Sequence, residues 1–488
     1  MQYLMRGLFG ISLLLPALSS EAATTLCHSP DFPQDVQCGV VQRPLNPADP
    51  NGKKIEIHYM VVPSQDRNKL PDALFLLAGG PGQSAINAAG FGKAVLNRLN
   101  QRRDLVFVDQ RGTGRSAPLQ CPALEDGGDR DDLEKSFENG ADLALQCLKK
   151  LQALPYGDLQ YFSTSIAVQD LEAVRLAQGY GPINLVGVSY GTRVGLEYLR
   201  QFPQAVRRVV LDGVVPPSMA YLGANVQNSL RGVFQACAKE AACNASYPHL
   251  EETWRKLLAA MPKKISVTHS RLGTELNLTM TRNAVLQLVQ RVLYAPVGSS
   301  ALPYAIAQAE RGKFEPLIAL SGVFDLSGPA GIAYGMHFSV WCGEAFAKPQ
   351  GLPPQDDFDV MTANLYNKVC EKWPRAQIPP GFFSIPRSAA PVLLLTGGID
   401  PVTPTPLGVT VAKALGENAR HVTLENAGHG LLTQGCIPDV VHRFFNAKSD
   451  REAVLVDAAC VRQIPRPLAW QALGGNPNSQ TQAAGEKP

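Results

Sequence analysis

The sequence has almost no excess of either charge. Its 488 residues carry 45 Lys and Arg against 42 Asp and Glu, a formal net charge of +3, which is far from the basic footprint of a nucleic-acid binder. There is no Lys/Arg run and no Cys/His cluster at zinc-binding spacing, so nucleic acid is excluded as a partner. Long apolar runs are missing too. Past the N-terminus, no segment approaches the roughly 20 apolar residues that a membrane-spanning helix needs, and the mature chain is expected to make no membrane contact. No internal repeat is found. What remains, 45% hydrophobic and 18% charged residues, is a globular composition with ample material for a core. The length suits one large core carrying an inserted cap.

The N-terminus reads as an export signal over residues 1–22. Arg6 supplies a charged start, Leu8 to Leu18 a short apolar stretch, and Ser20-Glu21-Ala22 small residues for cleavage. A lipid anchor at Cys27 is disfavoured, because Thr25 and Leu26 precede it where small residues are needed. The expected destination is the periplasm or the outside medium. Ten cysteines agree with export: Cys27, Cys38, Cys121, Cys147, Cys237, Cys243, Cys342, Cys370, Cys436 and Cys460. They fall into five near-neighbour couples, and sequential disulfide pairing is expected.

Along the chain, Ile55–Val62 alternates like a strand, Ala73–Ala78 and Leu105–Val108 are short continuous apolar runs, and Ile183–Val188 and Val206–Leu211 read as a third and a fourth buried strand. Helical spacing separates them at Ala85–Leu99, Asp170–Gln178 and Arg193–Gln201. Apolar strands alternating with helices indicate an α/β fold with a mostly parallel sheet covered on both faces. From about Pro216 to Pro386 the pattern turns mainly helical, and at Val392–Leu395 the buried strands resume, followed by His421–Leu424. The division expected is a core over 23–215 and 387–465, a helical cap over 216–386, and a disordered tail over 466–488.

Gly187-Val188-Ser189-Tyr190-Gly191 matches the G-x-S-x-G nucleophile elbow and lies between a predicted strand and a predicted helix, the context that gives this common motif meaning. A serine hydroxyl needs a base to take its proton. His429 stands in the glycine-flanked Asn426-Ala427-Gly428-His429-Gly430 loop after the last strand, and Asp400 directly follows the Val392–Leu395 run. The order Ser189, Asp400, His429 is that of hydrolases with this elbow. Asp400 also suits an Asx turn before Pro401. The oxyanion is expected to meet the backbone N–H groups of Tyr190 and of Gly80, in Gly79-Gly80-Pro81-Gly82. Asp109 and Arg111 are expected to organise nearby loops as an ion pair. This chemistry calls for neither metal nor cofactor.

Five motifs in order resemble the proline iminopeptidase-type serine aminopeptidases: Ala78-Gly79-Gly80-Pro81-Gly82, Asp109-Gln110-Arg111-Gly112-Thr113-Gly114-Arg115-Ser116, the elbow, the Gly397-Gly398-Ile399-Asp400-Pro401 segment, and Gly428-His429-Gly430. The last two are similar to the tripeptidyl-aminopeptidase branch. The resemblance spans about residues 40–215 and 388–445, and Ala78 stands where the family commonly has His. It implies an α/β-hydrolase fold with an inserted cap, and peptide substrates with a free N-terminus. It further implies acidic cap residues that hold the substrate ammonium, for which Glu344 is the first candidate and Glu371 the second. A Cys342–Cys370 bridge would bring these acids together beside Trp341 and Trp373. Fold and triad do not set the acyl substrate, so a carboxylesterase is the alternative. A binding protein with a degenerate site is disfavoured because every catalytic position is filled.

Overall fold

The computed structural model describes residues 24–125, 139–219, 223–268, 273–323, 331–345 and 356–471. The expected export signal lies outside them, as does the tail beyond residue 471. The strands, in chain order, are β1 Thr25–Cys27, β2 Val36–Pro44, β3 Lys54–Val62, β4 Leu74–Leu77, β5 Leu105–Val108, β6 Ile183–Val188, β7 Val206–Asp212, β8 Lys263–Thr268, β9 Glu275–Met280, β10 Val392–Gly397 and β11 Ala419–Leu424. Nine form one sheet in the order β1-β2-β3-β5-β4-β6-β7-β10-β11. The six from β5 to β11 pair in parallel, and β1 to β3 add an antiparallel edge.

The central strands are largely apolar because both faces are covered. Alternate residues of each strand enter different cores: Phe75, Leu77, Val106, Leu185, Val209 and Leu394 pack on one face, and Leu74, Leu76, Phe107, Val186, Val210 and Leu395 on the other. β7 and β10 are adjacent and parallel, although some 180 residues separate them in sequence. The chain therefore leaves the sheet after Asp212 and returns to the neighbouring position. The parallel strand ends nearest the excursion carry Ser189, Asp212 and Asp400.

The intervening stretch is mostly helical, and its helices Gly223–Lys239, Leu250–Ala259, Arg282–Leu293 and Leu302–Glu310 enclose a third core around Leu230, Trp254, Val289 and Phe314. Two details differ from the sequence reading. A two-stranded antiparallel hairpin, β8–β9, interrupts the helices; half its residues are exposed, so it lacks the continuous apolar run that betrays a buried strand. Met336, Phe338, Val340, Cys370 and Trp373 also join the core on the sheet, so the insertion is partly built into the sheet domain.

Other expectations are sharpened. The expected Ala85–Leu99 helix is confined to a 3-10 turn at Ala89–Gly92 and an α-helix at Lys93–Asn100. Residues 466–470 are not a loose tail: Trp470 N–H donates to Ser300 O at 2.9 Å, and its ring meets Tyr304 edge-on at 4.4 Å. The cysteines form five sequential disulfides, Cys27–Cys38, Cys121–Cys147, Cys237–Cys243, Cys342–Cys370 and Cys436–Cys460. Among the described residues, no helix is long and apolar enough to cross a membrane.

Candidate active site

Ser189 sits between β6 and the helix Tyr190–Gln201 with φ 55° and ψ −123°, a conformation that costs a non-glycine residue about 1–3 kcal/mol. The flanking glycines permit the turn. A Cβ on Gly187 would stand 2.4 Å from Gly191 O, and one on Gly191 would stand 2.0 Å from Leu77 O at the end of β4. The helix can therefore start directly against the sheet, leaving Ser189 half-buried at its N-terminus. The Gly79–Gly82 loop lies alongside: a Cβ on Gly79 would be 3.3 Å from Ser189 Cβ.

Asp400, just past β10, is buried and fully engaged. Its Oδ1 accepts the N–H groups of Val402 at 2.7 Å and Thr403 at 2.9 Å, the Asx turn anticipated before Pro401. Its Oδ2 accepts the Thr403 hydroxyl at 2.7 Å and His429 Nδ1 at 2.8 Å. One carboxylate thus serves both the turn and the imidazole. Burial alone would raise its pKa, but the His429 charge and these hydrogen bonds outweigh it and hold the carboxyl below the ordinary range. For His429 the balance is reversed. Burial disfavours the imidazolium, yet the Asp400 charge, its hydrogen bond and the charge on Asp212 leave the pKa above that of an ordinary histidine.

Three residues at this site carried no sequence signal. Asp212, the last residue of β7, accepts Ser189 N–H on its backbone oxygen at 2.8 Å. Its buried carboxylate accepts the N–H groups of Leu431 (2.9 and 2.7 Å) and Leu432 (2.9 Å), just past His429. It therefore ties the nucleophile strand to the histidine loop, and burial pushes its pKa up to about 6. The next residue, Gly213, has φ 68°, and a Cβ there would lie 3.0 Å from His429 Cε1. Tyr294, from the insertion, accepts His429 N–H on its backbone oxygen at 2.9 Å and sets its ring edge-on to the imidazole at 5.3 Å. Each meets the His429 loop from a distant part of the chain, which no local sequence motif records.

The two acids expected to hold a substrate ammonium are not brought together. Glu344 is 1% exposed. Its Oε1 accepts Thr164 N–H at 2.7 Å, and its Oε2 accepts the Thr164 hydroxyl at 3.0 Å and faces Arg193 at 3.4 Å. Its charge is spent inside the protein. Glu371, although next to the bridged Cys370, is 70% exposed beside Lys372. Asp109 and Arg111 do not pair with each other either. Arg111 forms a bidentate pair with Asp170 at 2.7 and 2.9 Å, whereas Asp109 accepts from Ser84 and from the backbones of Ile86 and Arg115. Both still organise loops, each through a different partner.

The chain resembles known proteins over most of its length. Tripeptidyl aminopeptidase of Streptomyces lividans is 26% identical over 484 residues, covering 90% of this chain and 86% of its own. Serine protease Hip1 of Mycobacterium tuberculosis is 24% identical over 474 residues, covering 87% and 89%. A Mycobacterium tuberculosis protein named carboxylesterase B is 25% identical over 452 residues, covering 84% of each chain. The alpha/beta hydrolase fold pattern matches residues 72–435, from the start of β4 past the His429 loop. With that match spanning the parallel sheet, the strained serine turn and the Asp400–His429 pair alike, the chain belongs to the alpha/beta hydrolase fold family.

Proposed function

We propose that this chain is an exported serine exopeptidase that releases one or a few residues from peptide N-termini through an acyl-enzyme. The carrying observation is the Asp400–His429 hydrogen bond, with Asp400 set two strands over from the strained Ser189 turn. With Nδ1–H held on Asp400, the imidazole keeps its lone pair on Nε2, the tautomer a general base requires. His429 Nε2 takes the Ser189 hydroxyl proton as Oγ bonds to the scissile carbonyl carbon. The Tyr190 and Gly80 N–H groups receive the oxyanion. The imidazolium then gives its proton to the leaving amine as the C–N bond breaks, and water repeats the sequence to free the acid.

Substrate class rests on the full-length likeness to a tripeptidyl aminopeptidase and a serine protease. The insertion serves as a cap, since Tyr294 brings it to the edge of His429. Export is supported by five disulfides, which persist in oxidising compartments. A second reading, a carboxylesterase with the same triad, is favoured by the engaged state of Glu344 and by the relative named carboxylesterase B. The direct test of the shared chemistry is mass spectrometry of the protein quenched during turnover of an activated ester. An acyl adduct on Ser189 that Ser189→Ala lacks is expected; an unmodified wild-type chain that still hydrolyses the ester would refute the acyl-enzyme.

A further inference from the structure

We infer that one segment of the insertion, Ile332–Ala345, sets the geometry of the oxyanion site from both sides, with His337 as the positioning residue of the Gly79–Gly82 loop. The inference rests on the function proposed above. This loop has few means of holding itself. Gly80 and Gly82 have φ of 109° and 106°, Pro81 has no N–H to donate, and Ala78 before them carries no polar group. A long backbone bond from Gln83 N–H to Gly79 O, 3.4 Å, closes the loop, and the segment supplies further restraints. Gln83 forms a bridge with Ile332, Ala333 N–H donates to Gly82 O at 2.9 Å, and His337 Nδ1 lies 3.2 Å from Pro81 O.

The tautomer of His337 follows from its partners. A carbonyl can only accept, so Nδ1 carries the hydrogen, and Nε2 accepts the Tyr366 hydroxyl at 2.6 Å. The ring is thereby fixed at both ends. It is also buried, which depresses its pKa to about 4 and keeps it neutral near pH 7.

The other end of the segment reaches Tyr190. Thr164 gives its hydroxyl hydrogen to Glu344, so the Tyr190 hydroxyl, 2.7 Å away, must donate to Thr164; Gln110 in turn donates to Tyr190 at 2.9 Å. These bonds run in one direction, from Gln110 to the Glu344 carboxylate. Both residues expected to stabilise the oxyanion, Gly80 and Tyr190, therefore abut structure fastened by a single stretch of the insertion. Where that stretch sits is read out in the chemical step more than in binding.

The test compares His337→Phe, which keeps a ring but removes the donor, with His337→Asn, which keeps an N–H near the Nδ1 position; His337→Ala is read beside the Phe variant. Steady-state kinetics on p-nitrophenyl acetate and on a free-amine peptide anilide are combined with the rate of Ser189 labelling by a fluorophosphonate. The Phe and Ala variants should lose about 10- to 100-fold in kcat, the size of an ångström-scale misplacement. Their KM should stay within about twofold, and labelling should slow in parallel. The Asn variant should recover to within about threefold of wild type. Wild-type kcat in the Phe variant, a change confined to KM, or a loss that Asn does not recover would overturn the inference. A wild-type protein that is not labelled at all would instead refute the proposed function itself.

Discussion

Replacing Asp400 by Asn tests the arrangement with almost no change of shape. Asn Oδ1 can keep the N–H bonds of Val402 and Thr403 that the carboxylate now accepts at 2.7 and 2.9 Å, so the turn survives. On the other side, an NH2 group replaces the oxygen that faces Thr403 Oγ1 at 2.7 Å and His429 Nδ1 at 2.8 Å. Thr403 can rotate its hydroxyl and accept, but the imidazole must then accept at Nδ1 and carry its hydrogen on Nε2. That tautomer cannot take the Ser189 proton. By analogy with other triads, kcat should fall by about 10⁴, or roughly 5 kcal/mol of transition-state stabilisation, with the melting temperature little altered. The assay is ester and peptide-anilide turnover normalised to folded protein, with circular dichroism as the control. A folded Asp400→Asn enzyme within about tenfold of wild type would refute the assignment of Asp400.

Three further outcomes follow from the same geometry. The base must be neutral and its pKa is raised, so kcat/KM should fall as pH drops through a value above 6.5; a pH–rate profile whose acidic limb lies at or below that value contradicts the pairing. Gly213→Ala forces a side chain to φ 68° and to within 3.0 Å of His429 Cε1; denaturant melts should show a loss of about 1–2 kcal/mol, and kcat should drop by about tenfold or more. Asp212 has a folded pKa of about 6, above its ordinary 3.8, so the folded state holds the proton more tightly than the unfolded one. Stability is then lost as pH rises from about 4 through 6, by roughly 3 kcal/mol. Asp212→Asn should remove this slope, and parallel melts of the two proteins that show no pH-dependent difference would count against a buried, proton-retaining Asp212.

The sequence exposed what depends on local pattern. Strands such as Leu74–Leu77 and Leu105–Val108 are apolar throughout because both faces of the sheet are covered, and the Ser189 turn is written in its two glycines. β2, Val36–Pro44, escaped notice because it lies toward the antiparallel edge and alternates only loosely between buried and half-exposed residues. Long-range partnership was not legible. Arg111 pairs with Asp170, 59 residues away, and not with Asp109 two residues before it, because Asp109 is already filled by Ser84 and two backbone N–H groups. Glu344 presents the same problem: a glutamate near a cysteine and a tryptophan reads alike whether it faces substrate or Thr164 and Arg193. Asp212, Tyr294 and Gly213 act through contacts to the His429 loop from distant parts of the chain, which only the folded chain reveals.

The central claim is cleavage at a free N-terminus, and the most direct measurement is kcat/KM of the purified protein on a free-amine tripeptidyl anilide. A free-amine prolyl anilide, an N-acetylated copy of the tripeptide and the Ser189→Ala variant run beside it. Turnover of a free-amine substrate, its loss on acetylation, and no activity without Ser189 are expected. Rapid hydrolysis of a simple ester with none of the anilides cleaved, or equal rates on the free and acetylated peptides, would contradict it.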